Sequence, residues 1–430
     1  MTGRTGWLRG LRMDVTPLRA SADFRAMFTS RTITLLGSQA SQVALLVQAK
    51  QLTGSAFDVG LLGAAELVPL VVFGLYGGVL ADRLDRRALA RWSEVGLGCF
   101  ALILVANAAL ARPQVWPLYV VAAGMTALAA LQRPSLDASV PRIVPRDQLT
   151  AAFALLAMSA SASFIIGSSL GGVLAAGPGP VVVYAADAVS FAVSFALLCL
   201  LRPLPPLQQE HQEVAGLRSL LTGLKYAQSR QELVGSYLVD LAAMGFAYPV
   251  SLFPFMAAAL HAQWAAGLMF SAESAGAIVA SVVSGWAGRV RRHGVAIALA
   301  AAAWGAAIAG FGFAPDIGAA LACLMAAGAA DMLSGIFRTT LWNQTIPDAL
   351  RGRLAGVEVL SYSLGPSAGQ VRAGAVASLT TPRISAWSGG LLCVAGVAVI
   401  TAVLPGLRSY RDRSISAERS CSPSEPSSRS

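Results

Sequence analysis

Ten ionisable side chains stand inside apolar stretches of this sequence: Arg31, Glu66, Arg133, Asp187, Asp240, Glu273, Asp331, Arg338, Glu358 and Arg372. A charge at the centre of a bilayer costs about 2.5–3.5 kcal/mol on insertion scales, so each needs a partner or a task. A carboxylate at that depth can gain or lose a proton as water access changes, which is the chemistry of a proton relay. Asp240, Asp331, Glu66 and Glu273 are the candidates for that role. Arginines and amides facing a cavity can hold a polar or anionic small molecule, and Arg31, Gln39, Gln42, Arg133 and Arg338 are the candidates. The alternative for each is a paired charge holding two helices together, worth only about 0.6 kcal/mol for an average polar pair. Asp187, close to the end of its stretch, reads as structural.

Other chemistries lack their residues. A Walker loop needs Gly-Lys before Ser or Thr, and the only lysines are Lys50, after Ala49, and Lys225, after Leu224. His211, His261 and His293 fall in expected loops and form no His-Glu-x-x-His pattern. Cys99, Cys199, Cys323 and Cys393 lie in apolar stretches and Cys421 in the tail, with no metal or disulfide spacing. The chain is expected to be no enzyme and to need no cofactor or metal.

The elements that position these residues are membrane helices. The 430 residues are 55% hydrophobic and only 13% charged, too apolar for a water-soluble domain. Twelve stretches are long enough to cross a bilayer: 26–52, 58–80, 88–111, 116–138, 149–175, 180–201, 230–260, 264–287, 295–313, 319–342, 354–379 and 384–405. At this length they must be helices, which makes this an all-α membrane protein. The net charge of +10 follows alternate connections rather than one patch, which argues against nucleic acid. Arginines cluster before the first stretch and after the second, fourth, sixth, eighth, tenth and twelfth. Only Arg112 and Arg383 sit at the other turns. This positive-inside pattern places both termini in the cytoplasm of a multi-pass plasma-membrane protein.

The order is an N-terminal segment 1–25, a six-helix half 26–201, a cytoplasmic linker 202–229, a second half 230–405 and a disordered Ser-rich tail 406–430. In the linker Leu217, Leu220, Leu221 and Leu224 share one face, as in a helix lying on the membrane surface. The halves match in order: Gly60 with Gly267, Glu66 with Glu273, Gly78 with Gly285, Arg133 with Arg338, Pro145 with Pro347, and "GSSLG" (167–171) with "GPSAG" (365–369). Two parallel six-helix repeats with a site between them is a transporter architecture. Asp240 and Asp331 then come near the bilayer midplane, at about 1.5 Å of rise per residue.

The loop "GGVLADRLDRR" (77–87) resembles the cytoplasmic helix 2–3 motif of the major facilitator superfamily, through Gly78, Asp82, Arg83, Arg86 and Arg87. Asp85 stands where that motif usually has Gly. "FRAMFTSRTITLLGSQ", "PSLDASVPRIVPRDQLTAA" and "RTTLWNQTIPDALRGRLAGVE" resemble its exporter branch of enterobactin-exporter-like and macrolide efflux proteins. The resemblance implies a twelve-helix fold, helices 1, 4, 7 and 10 around the cavity, and a gating role for the motif. It also implies a secondary active transporter that exports a siderophore or drug-like molecule by proton antiport and alternating access. The expected partners are that small molecule, protons and membrane lipid, with the protein a monomer. A basic floor of Arg133 and Arg338 would suit an anionic cargo. A secondary importer of a small metabolite, and a membrane interaction protein that transports nothing, remain open alternatives.

Overall fold

Among the described residues, twelve long helices build the computed structural model. It describes residues 14–83, 85–202 and 224–410, with side chains at all of these but 75–83, 348–349, 351–353, 355–357 and 359–360. The helices are α1 (Ala22–Thr53), α2 (Ala56–Arg83), α3 (Arg86–Ala108), α4 (Trp116–Asp137), α5 (Leu149–Ala176), α6 (Pro180–Cys199), α7 (Gln231–Ala247), α8 (Ala266–Val283), α9 (His293–Phe313), α10 (Ile317–Thr345), α11 (Asp348–Leu379) and α12 (Pro382–Val403). Among the described residues there is no strand. Residues 1–13, most of the linker with Leu217, Leu220 and Leu221, and the tail after Tyr410 lie outside the described residues.

Local chemistry sets the helix ends. Ser21 caps α1, its Oγ accepting from the Phe24 amide at 3.1 Å, and Asp85, Asp316 and Thr381 cap α3, α10 and α12 in the same way. α1 stops at Gly54, whose φ of 66° is the left-handed region that glycine enters without strain. The continuous stretch expected over 230–260 is broken. Pro249 offers no amide hydrogen and forces Tyr248 into extended backbone with ψ 111°. The chain then resumes through a tight turn, Val250–Leu252, and a short helix, Phe253–Ala259.

The packing repeats. α1 packs on α5 and α6, α2 on α4, and α3 on α4 and α6. α7 packs likewise on α11 and α12, α8 on α10, and α9 on α10 and α12. The halves meet along two seams, α2 with α11 and α5 with α8. Residues matched in sequence do matching jobs. Gly60 meets α11 at Gln370 and Gly374, while Gly267 meets α5 at Gly172. A β-carbon at Gly172 or Gly267 would strike the facing backbone, so these helices approach closely only because both are glycine. The "GSSLG" glycines seat α5 on the α1 backbone at Leu36 and Ala40, and the "GPSAG" glycines seat α11 on α7 at Met244. These seams lie toward the end of the bundle away from the termini. There Lys50 Nζ, at the end of α1, donates to the Pro254 carbonyl at 2.8 Å and lies 5.4 Å from the centre of the Phe255 ring.

Among the described residues nine helices are long and apolar enough to cross a membrane, and the chain is a multi-pass membrane protein. The long helices outside that set are α1, α4 and α11. They carry Arg31, Gln39, Gln42, Gln48 and Lys50; Gln132 and Arg133; and Glu358, Gln370 and Arg372.

Candidate functional site

Three carboxylates from three helices surround one small cavity between the halves. Its volume is about 290 Å³, and Glu66 of α2, Glu273 of α8 and Asp331 of α10 all line it. Gln39 and Gln42 of α1, Gln370 of α11 and Tyr248 at the α7 break complete its polar wall. Gln42 Nε2 donates to Glu66 Oε1 at 3.1 Å. Glu273 sits where α8 presses on α10, since Gly328 has no side chain to push its backbone away. Asp331 follows Gly328 by three positions, which puts it on the same face of α10. On the neighbouring seam the Ser271 hydroxyl of α8 is 2.6 Å from Ser169 Oγ and donates to the Ile165 carbonyl of α5 at 2.8 Å.

Behind this cavity Arg338 joins two of the candidate carboxylates. It is 3% exposed and forms an ion pair with Asp240 of α7, which is also 3% exposed. Its other amino group lies 3.8 Å from Asp331, whose side chain is 40% exposed. Ser361 of α11 donates to the free oxygen of Asp240 at 2.9 Å, and the Tyr362 ring centre lies 5.4 Å from the guanidinium. Asp240 is thus enclosed by donors, while Asp331 keeps one side toward the cavity.

A second cavity of about 550 Å³ runs inside the first half, along α1 from Leu45 to Arg31. Gln39, Gln42 and Glu66 line both cavities and form their common wall. Arg31 and Arg133 line the second one and share Asp137, at 2.6 and 4.0 Å. Arg133 and Arg338 are therefore apart, each turned to an aspartate, rather than side by side in one basic floor. Glu94 of α3 also lines this cavity, held by Gln132 Nε2 at 2.8 Å and Thr34 Oγ1 at 3.3 Å. Sequence reasoning passed over it. Its signal was an acid seven positions after Arg87 in an apolar stretch, close enough to the basic loop to read as its edge.

Arg372, Arg86 and Arg87 donate to carbonyls of neighbouring helices. Arg372 Nη2 donates to the Ser385 carbonyl at 3.0 Å, tying α11 to α12. In the 77–87 loop, Asp85 makes the turn without glycine, with φ −61° and its side chain capping α3. Arg86 Nη1 donates to the Ala138 carbonyl at 2.7 Å, and Arg87 reaches the Leu198 and Cys199 carbonyls at 3.3 and 2.5 Å. These arginines satisfy carbonyls where α4 and α6 end, a favourable place for positive charge. The side chains of Gly78, Asp82 and Arg83 lie outside the described residues.

Comparison with known proteins agrees with this arrangement. A family model described as Major Facilitator Superfamily matches residues 27–357. The chain is 30% identical over 417 residues to the enterobactin exporter EntS of Citrobacter koseri, covering 95% of this chain and 97% of that one. The enterobactin exporter EntS of Shigella boydii serotype 18 is 29% identical over 421 residues, with the same coverage. Among solved structures, the nucleoside transporter NupG superposes with a TM-score of 0.69 at 11% identity, over 90% of this chain and 99% of that one. A bacterial homologue of the human lysosomal transporter Spinster, inward-facing and unoccupied, gives 0.66 at 15% identity over 89% and 95%. At such identities these two speak for the fold alone. With a family match over most of its length and these helices and cavities, the chain belongs to the major facilitator superfamily and is a transporter rather than an enzyme.

Proposed function

We propose that the protein is a proton-coupled exporter that moves a siderophore-like small molecule out across the plasma membrane by alternating access. The observation that carries the coupling is the meeting of Glu66, Glu273 and Asp331, contributed by both halves, around one cavity of about 290 Å³. Carboxylates so placed repel one another at low dielectric, and a proton taken up by the group relieves that repulsion. Rocking of the halves about their glycine seams changes the water that reaches the group, so a proton can enter on one side and leave on the other. Cargo that donates hydrogen bonds to the same carboxylates competes with that proton, and competition of this kind is antiport.

The EntS likeness supports export and a siderophore cargo. The cavity chemistry refines its class. Acidic and amide acceptors suit a donor-rich molecule such as a catechol. A catechol hydroxyl, like the tyrosine phenol with its pKa of about 10, is uncharged near neutrality. Gln39, Gln42 and Glu66 line both cavities, so the polar wall of the central space continues into the first half. The test is chemical analysis of the medium and cytoplasm of a strain lacking this gene, with and without the gene restored. Loss of a catechol siderophore from the medium, with its build-up inside, is expected. Unchanged export of every hydroxyl-rich metabolite would contradict the reading.

A further inference from the structure

Two membrane carboxylates, Glu94 on α3 and Asp187 on α6, have no part in the transport reading above. Both face α1. Thr34 of α1 donates to Glu94, and the Asp187 carboxylate lies against Gly37, where a side chain would collide with it. Their described partners are neutral: Gln132 and Thr34 for Glu94, and Ser190, at 3.1 Å, for Asp187, with Ser41 beside it. The cations nearby are engaged elsewhere. Arg31 and Arg133 line the same cavity as Glu94 but turn to Asp137, and Arg91 extends its Nη1 toward Cys199 Sγ, 4.0 Å away, with its Nε unpartnered among the described residues. Asp187 is 0% exposed, and its Oδ2 makes no hydrogen bond among the described residues. Thr34 and Gly37 are three positions apart on α1, so the two carboxylates meet the same face of that helix.

The second half supplies an internal control. α9 and α12 pack as α3 and α6 do, with Trp304, Gly305, Gly390 and Cys393 buried at or beside their contact. Neither helix contains an acidic residue. Packing at this place in the fold therefore does not call for a carboxylate, and the first half has two. Two carboxyl groups with hydroxyls and one amide around them have the chemistry of a small-cation site. The cavity lined by Glu94 and Ser41 provides its approach from the Arg31 end.

We propose that Glu94 and Asp187 form a binding site for a small monovalent cation, a proton or a sodium ion, inside the first half and separate from the central carboxylates. Calling it a coupling ion rests on the transport reading; its binding does not. The test uses the purified full-length protein in detergent and needs no transport, so its failure leaves the transport reading untouched. Thermal unfolding is followed while sodium chloride replaces choline chloride at fixed ionic strength, and separately as pH is lowered. A ligand of the folded state alone raises the unfolding midpoint in a saturable way. A rise with sodium identifies the metal ion, and a rise only with acid identifies the proton. Glu94→Gln and Asp187→Asn should each weaken the apparent affinity by about tenfold or more, equivalent to about 1.4 kcal/mol. Glu94→Asp should restore part of it. An identical response in wild type and both variants, or none in wild type, overturns the proposal. Should both variants fail to fold, sodium-22 binding and proton uptake by the wild type decide, and absence of saturable uptake of either overturns it.

Discussion

Arg338 is one guanidinium between two carboxylates with different surroundings, and that difference separates their roles. Asp240 is buried with Arg338 and Ser361, whereas Asp331 faces the cavity. Asp240→Asn removes the closer of the two carboxylates from a buried arginine and leaves it Asp331 at 3.8 Å; losing one partner costs about 3–5 kcal/mol in comparable buried pairs. Its abundance in the membrane should fall sharply by immunoblot, and the double variant Asp240→Asn with Arg338→Met should recover much of it. Equal abundance of wild type and Asp240→Asn would show that the pair is not structural. Glu66 and Glu273 were legible in the sequence because the repeat sets one on the other. Arg338 and Asp331 were legible because seven positions on a helix return to one face. The pairing of Asp240 with Arg338 was not, since it depends on how α7 rotates against α10, which no local pattern specifies. Glu94 was missed for a related reason: only the packing of α3 against α4 and α6 shows that its side chain turns inward toward Thr34 of α1.

Between elements, the glycine seams govern how the halves approach. Gly172 and Gly267 bring α5 and α8 into backbone contact at the end away from the termini, and Gly60 and Gly374 do the same for α2 and α11. Gly172→Leu should wedge that seam open. Transport should fall while the protein still reaches the membrane, and a cysteine introduced by Ser271→Cys should react faster with a membrane-impermeant maleimide. Unchanged labelling would place the movement elsewhere. Gly60 and Gly267 were visible in sequence as a matched pair, but their partners Gly374 and Gly172 were not, because the contact joins helices of different halves. The α7 break had its cause in plain view at Pro249. An apolar stretch nonetheless reads as continuous when length and hydropathy alone define it.

Across the whole molecule, two similar halves are made unlike by their charges. The long helices outside the nine apolar ones, α1, α4 and α11, bear the glutamines and arginines that line the cavities, so the polarity that weakens them as spans equips them as walls. The arginine asymmetry of alternate loops supports our reading that all twelve helices cross the membrane and both termini are cytoplasmic. The repeat was legible from ordered residue pairs, and the fold realises it in matching helix contacts. The central claim is that protons drive export through Glu66, Glu273 and Asp331. Its most direct measurement is uphill movement of a catechol siderophore in proteoliposomes under an imposed pH gradient. Wild type is compared with the triple variant Glu66→Gln, Glu273→Gln and Asp331→Asn. The account predicts that wild type accumulates cargo against its gradient, and that the triple variant exchanges cargo without accumulating it. Equal accumulation by both would contradict it.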